Sequence, residues 1–323
     1  MKSFKGLPGI ALAAIVSVSA GAALADYPER TINMIVPFSA GGPNDTIARA
    51  IAAGLEEELD QTIIVENKPG AAGNIGTLGV VRAEPDGYTI LFVSSGPMLI
   101  NTTLYSNAGY DPRTDLTPIA LAGTMPNVVL VNPSIGVTDM KGLAEYAKAN
   151  EGVSYGSAGA GNTTHIAGFM LSRELDDRLM HVPYPGTAAA MKDLLGGHIS
   201  LVFSDTMTAM PYIESGALTA LAVAPERSAV LPDVPTLAEQ GFDIEDINPA
   251  FGILGPPDMP EDVVDTLNDA IQATLDSPEM TALMARLGME RAPIRTSVEF
   301  ADYIRSEVDR LGEMVRLTGV TID

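Results

Sequence analysis

The chain has 323 residues, no Cys and no Trp, and carries 19 basic against 41 acidic side chains, a formal charge of −22. Hydrophobic residues make up 46% and charged residues 19%, a balance that predicts packed α/β structure rather than a disordered chain. Zero cysteine excludes disulfides, thiol catalysis, Cys-ligated zinc and iron–sulfur clusters. The acidic balance, with no cluster of Lys and Arg, excludes a nucleic-acid partner, because a phosphate backbone is bound through clustered cations.

Residues 1–25 read as a secretory leader. Lys2 and Lys5 supply the positive start, Ile10 to Ala23 the apolar stretch, and Ala23-Leu24-Ala25 the small-x-small site for cleavage before Asp26. The competing reading is a membrane anchor, but small residues dominate the stretch and it ends at a cleavage pattern. Cleavage after Ala25 leaves 17 basic and 41 acidic residues, a mature charge of −24. In a bacterium the address is the periplasm.

Strand-like and helix-like runs then alternate. Thr31–Val36, Thr62–Val65 and Tyr88–Val93 are predicted strands, with helices at Asn44–Leu59 and Ile75–Ala83. A second series opens at Asn127–Val131 and continues with strands at Val153–Tyr155, Met180–Val182, Ile199–Phe203 and Ala220–Val223. Its helices fall at Thr138–Ala149, from Asn162, at Ala188–Leu195 and at Thr208–Glu214. Pro225 to Pro235 reads as a loop, Ala250–Leu254 as a strand, and Glu261–Leu275, Pro278–Leu287 and Ser297–Leu317 as amphipathic helices. Such βαβ alternation predicts mostly parallel sheets flanked by helices. Two series imply two lobes, residues 26–126 plus 248–323 and residues 127–247, hinged near Met125-Pro126-Asn127 and Ile247-Asn248-Pro249.

Three loops share one grammar, in which a strand ends, small residues follow and a helix begins. They are Phe38-Ser39-Ala40-Gly41-Gly42 with Pro43 to Asp45, Ser94-Ser95-Gly96-Pro97, and Ser157-Ala158-Gly159-Ala160-Gly161 with Asn162 to Thr164. Pro43 suits the first helical position, and Gly41 and Gly42 permit positive φ and close approach of a ligand to bare backbone. A bulky residue at Gly42 is therefore expected to strain the loop or intrude on a ligand, and Gly288 is expected to lie far from the site. Helix N-termini carry unpaired N–H groups and about half a positive charge, so several aimed at one cleft make a carboxylate site without any Arg. Taken singly, each loop also fits an ordinary βα turn.

The catalytic patterns are missing: there is no G-x-S-x-G elbow and no H-E-x-x-H, and the third loop lacks the G-K-[ST] of a phosphate-binding P-loop. No two of His165, His181 and His198 have metal-ligand spacing, and no cofactor is implied. Asp45 and Asp205 each suit either a helix cap or a ligand ammonium.

The sequence resembles the Bug receptors, the periplasmic solute receptors of tripartite tricarboxylate transporters. The matching pieces are Tyr27-Pro28, Pro37 to Gly42 with Asp45, Val65-Glu66-Asn67-Lys68-Pro69-Gly70-Ala71-Ala72-Gly73-Asn74-Ile75-Gly76 and Pro85-Asp86-Gly87-Tyr88-Thr89. Further along are Tyr155 to Gly159 with His165, His181-Val182-Pro183-Tyr184, Asp193 to Gly197 and Leu231 to Thr236. The resemblance implies a two-lobed, Venus-flytrap binding fold of mixed, mostly parallel sheets, monomeric, without catalysis, that delivers a small organic anion to inner-membrane transporter subunits. It also implies ligand contacts from the three loops, Asn74, His165, the turn at Tyr184 and Gly186, and Asp205. Two departures stand out: Pro185 occupies a slot often basic in the family, and Ser204 separates Phe203 from Asp205. A receptor feeding a membrane histidine kinase, or a periplasmic hydrolase using Asp45, His165 or Asp205, are the alternatives.

Overall fold

The computed structural model describes residues 27–244 and 247–323; the leader and its cleavage site fall outside the described residues. The first series runs β1 (Ile32–Val36), α1 (Pro43–Leu59), β2 (Ile63–Asn67), α2 (Asn74–Val81), β3 (Thr89–Ser94), a π turn (Gly96–Ile100) leading into α3 (Asn101–Leu104), and β4 (Thr117–Thr124). The second runs β5 (Asn127–Val131), α4 (Met140–Ala149), β6 (Ser154–Ser157), α5 (Thr163–Glu174), β7 (Met180–Pro183), α6 (Thr187–Leu195), β8 (Leu201–Asp205), α7 (Thr206–Glu214) and β9 (Thr219–Ala224). The chain then returns through β10 (Ala250–Gly255) and ends in α8 (Glu261–Asp276), α9 (Pro278–Leu287) and α10 (Ser297–Thr318).

These strands form two five-stranded sheets of the same plan, ordered β2-β1-β3-β10-β4 and β7-β6-β8-β5-β9. In the first, β1 pairs in parallel with β2 and β3, and β10 runs antiparallel to β3 and β4. In the second, β6 pairs in parallel with β7 and β8, and β5 runs antiparallel to β8 and β9. Each reversed strand is the first one formed after the chain passes from the other sheet. The passages at Met125–Pro126 and Ile247–Pro249 lie side by side: Met125 N donates to Pro249 O (2.9 Å), and Asn127 Nδ2 to Ile247 O (2.8 Å).

Strand alternation divides the core. Ile90 and Phe92 of β3 share a core with α1, α8 and α9 through Ile51, Leu55, Leu267, Ile271, Met280 and Met284, whereas Leu91 and Val93 share one with α10 through Phe300 and Ile304. The α10 core continues into the second lobe through Val129, Leu171 and Phe203. A third core lies beneath α6 and α7, around Met191, Leu194 and Ala209. In α1 the buried Ile47, Ala48, Ile51, Ala52 and Leu55 form one stripe at helical spacing.

The sequence reading passed over β4. Its middle is buried on both faces, so no alternation marks it, and Pro118 argues against a strand in sequence terms. In the fold β4 lies at a sheet edge, where proline is tolerated. α7 begins two residues earlier than the pattern indicates, because Asp205 caps it.

Candidate functional site

A cleft of about 530 Å³ opens between the sheets. All six strand-to-helix junctions at the ends of the parallel strands reach it. Phe38, Pro43 and Asn44 come from the β1–α1 loop, Ala72 from the turn before α2, and Ser94, Ser95 and Gly96 from the turn after β3. The second lobe supplies Ala158, Asn162, Thr163 and Thr164 before and at the start of α5, Pro185 to Ala188 at α6, and Asp205 and Thr208 at α7. Pro249 and Phe251, at the return passage and on β10, complete the lining.

The first loop is braced from behind. Asp45 accepts a hydrogen bond from Gly41 N (2.8 Å) and another from Asn67 Nδ2 (3.0 Å), and it pairs with Arg49 (2.9 Å). The Arg49 guanidinium holds the Asp45 carboxyl below the usual carboxylate range. Asp45, Ser39, Ala40, Gly41 and Gly42 are absent from the cleft lining, and the carboxyl that suited a ligand ammonium is consumed in fixing the loop. Gly41 takes the positive φ, +84°; Gly42 is extended at φ −87°, ψ 177°, so only one of the two glycines is required by backbone conformation. In the second loop, Ser95 Oγ accepts from Ala250 N (2.8 Å), tying the turn to the return passage.

The third loop is held by its own cap. Asn162 Oδ1 accepts from Thr164 N (3.1 Å) and from the hydroxyls of Thr163 (3.1 Å) and Thr164 (3.2 Å), and Thr164 Oγ1 accepts from Ala158 N (2.9 Å). His165 lies behind this loop. Its Nδ1 accepts from Gly161 N (2.9 Å), and its ring stacks on His181 at 3.7 Å between centroids. Ser157 Oγ lies 2.6 Å from His181 Nε2. Burial lowers both histidines to about 4, so both are neutral at pH 7. Ser157, Gly159, Gly161 and His165 therefore shape the loop from beneath, while Ala158 and Thr163 face the cleft.

Two further candidates also stand behind the wall. Tyr184 turns its hydroxyl to Asp193 Oδ2 (2.7 Å), and its neighbours Pro185 and Gly186 line the cleft instead. Asn74 Oδ1 accepts from Asn101 Nδ2 (2.6 Å) and Tyr110 Oη (3.1 Å) in a buried network that seats the turn carrying Ala72. Phe38, Ser94, Ser95, Gly96, Ala158, Thr163, Gly186 and Asp205 are the candidates that reach the cleft. Asn44, Asn162 and Thr164 lie within the recognised loops and also line the cleft; of these Asn162 is marked in the sequence as a helix cap, while Asn44 and Thr164 each follow one position inside the start of their helices. Pro249 and Phe251 carry no local signal.

Among the described residues, Asp205 is the only ionisable residue of the lining, and no Lys or Arg is present. It caps α7, accepting from Thr208 N (2.7 Å) and Thr208 Oγ1 (3.0 Å), and burial pushes its pKa up. Positive potential in the cleft comes instead from the N-termini of α1, α5, α6 and α7, whose first-turn N–H groups have no intrahelical partner. Among the described residues, no group of three His, Asp or Glu side chains is placed to hold a metal ion.

Two lobes flanking a cleft lined by helix N-termini define a solute-binding protein of the periplasmic-binding-protein fold. The chain matches the tripartite tricarboxylate transporter family receptor, TctC, over residues 47–320, and it belongs to that family. It superposes on the structure of the periplasmic binding protein BugD with a TM-score of 0.80 at 38% identity, covering 91% of this chain and 99% of that one. Rhodopseudomonas palustris Rpa4515 with adipate aligns at TM-score 0.83 and 30% identity, over 92% of this chain and 99% of the other. MatC of the same organism, with bound malate, aligns at 0.79 and 31%, over 90% and 100%. Members of the family are periplasmic solute-binding receptors that work with membrane transporters, not enzymes.

Proposed function

We propose that this receptor captures a small organic carboxylate in the interlobe cleft and hands it to the membrane subunits of a tripartite tricarboxylate-type transporter, after export directed by residues 1–25. The observation that carries the reading is a 530 Å³ cleft into which helix N-termini converge while, among the described residues, no Lys or Arg lines it. Such a site holds a small anion by oriented N–H groups, which need no counter-charge from a long flexible side chain. Adipate and malate in two neighbours' structures support the ligand class. The lobes would comprise residues 26–126 plus 248–323 and residues 127–247, acting as a monomer.

The test is a thermal-shift panel on protein stripped by unfolding and refolding. Carboxylates of two to six carbons are the probes, with a neutral sugar and a diamine as controls. At a hundred times its Kd a ligand adds about 2.7 kcal/mol to folding stability, a readily measured rise in Tm. A saturable rise with at least one acid, and none with either control, is expected. No response to any acid, or a response to the diamine alone, sinks the proposal.

A further inference from the structure

The cleft is provided with hydrogen-bond acceptors as well as donors. Asp205 lies on the second lobe's wall at 9% exposure, with its two oxygens already accepting one hydrogen bond each, both from Thr208. An ionised carboxylate offers about four acceptor sites, so roughly half of its capacity remains. Among the described residues, the lining contains no cation to complement it. Thr208 Oγ1 has committed its proton to Asp205, so towards the cleft it can only accept. Asp205 and Thr208 are thus two acceptors on one wall of the cavity, and a bare carboxylate or an alkyl chain satisfies neither.

We propose that the receptor selects carboxylates bearing a hydrogen-bond donor, a hydroxyl or ammonium group, and that Asp205 is the specificity-determining residue that receives it. The inference rests on the carboxylate-binding reading above and adds what must stand beside the carboxylate. A site built to accept a ligand's hydroxyl or ammonium hydrogen discriminates against the analogue lacking it, because the buried acceptor is then left unpaired. Asp205 also repels a second free carboxylate placed beside it, a cost that falls on substituted and unsubstituted diacids alike.

The experiment is isothermal calorimetry on stripped protein with matched pairs: succinate against malate and aspartate, glutarate against 2-hydroxyglutarate and glutamate, propionate against lactate. In the wild type, within at least one pair, the donor-bearing acid is expected to bind at least tenfold more tightly. Asp205→Asn is the diagnostic variant. Asparagine is as good a helix cap as aspartate and keeps an oxygen for Thr208 N, so the fold is retained, and circular dichroism checks that. Its amide offers a donor where the wild type offers an acceptor. The preference should therefore shrink at least tenfold, and binding of the unsubstituted acid should gain. Equal affinities within every pair in the wild type overturn this inference while leaving the carboxylate reading intact. So does a ratio unchanged in a folded Asp205→Asn. If no acid of any pair binds, the carboxylate reading falls and this inference with it.

Discussion

Gly41 and Gly42 are neighbours in sequence with different physical demands. Gly41 sits at φ +84° with open space where a Cβ would be, so an alanine there meets no atom but adopts a left-handed backbone. Gly41→Ala should cost about 1–2 kcal/mol of stability. Gly42 is extended, and its nearest neighbour to an added Cβ is Ser39 O at 3.8 Å, so Gly42→Ala should cost only about 0.5 kcal/mol, the disadvantage of alanine at a helix N-cap. Urea unfolding of the two variants decides this; equal losses would contradict the assignment. The expectation that a residue at Gly42 strains the loop is thus corrected, because the strained position is one residue earlier. Gly288 is corrected too. It ends α9 at φ +68°, its carbonyl accepts from Thr206 Oγ1 (3.2 Å), and an added Cβ would lie 2.5 Å from that hydroxyl, next to Asp205. The neutral reference position is Gly79 on α2, exposed and with nothing within 4 Å of an added Cβ.

At the scale of elements, the stacked His165 and His181 join α5 to β7 beneath the third loop. Tyr155 of β6 lies against both rings, 6.4 Å from His165 and 5.0 Å from His181 between centroids. Burial depresses both pKa values from 6.5 to about 4, and a charge on either ring disfavours a charge on the other. Between pH 6.5 and 4 the unfolded chain therefore binds protons that the folded chain refuses. Stability is full above about pH 6.5 and falls as acid is added, by up to about 1.4 kcal/mol per pH unit for each histidine. Asp45, whose folded pKa is depressed, contributes stability that is lost only at lower pH, below its ordinary carboxylate range. Tm measured from pH 7.5 to 4 should fall progressively, and His181→Gln should flatten the slope. A wild-type Tm constant down to pH 4.5 would rule out the pair as the source.

At the scale of the molecule, closure is expected to be the response to ligand. Two chain passages link the sheets, joined side by side through Met125–Pro249 and Asn127–Ile247 hydrogen bonds. The lobes also share the α10 core, which reaches Val129, Leu171 and Phe203, and are tied by Thr206 to Gly288 and by Leu104 packed against Gly161. A ligand that touches both walls favours the closed arrangement by its differential affinity. Small-angle scattering of stripped protein should show a smaller radius of gyration when a binding carboxylate is added. An unchanged profile at saturation would argue for a cleft that is closed throughout.

The βα alternation, the helix caps and the glycine-rich junctions were legible in the sequence because each depends on residues within a turn or two of one another. Pro43 at the start of α1 and Asn162 before α5 announce those helices by local hydrogen-bonding chemistry alone. The family, too, followed from motifs spread along the chain. What the tertiary structure decided is non-local. β5, β8 and β10 are buried along their whole length, so nothing in their side-chain pattern tells that β5 and β10 run against their neighbours. Pro249 and Phe251 reach the cleft only because β10 pairs with β3, more than 150 residues earlier. Asp45 and His165 had the right chemistry and position for ligand contacts, yet Asn67 and His181, from other strands, claim them for structure. The sequence determined which helix ends could bind an anion, because a cap is written in adjacent residues. Which side chains remain free to face the cleft was settled by packing, because a hydrogen-bond partner can come from anywhere in the chain.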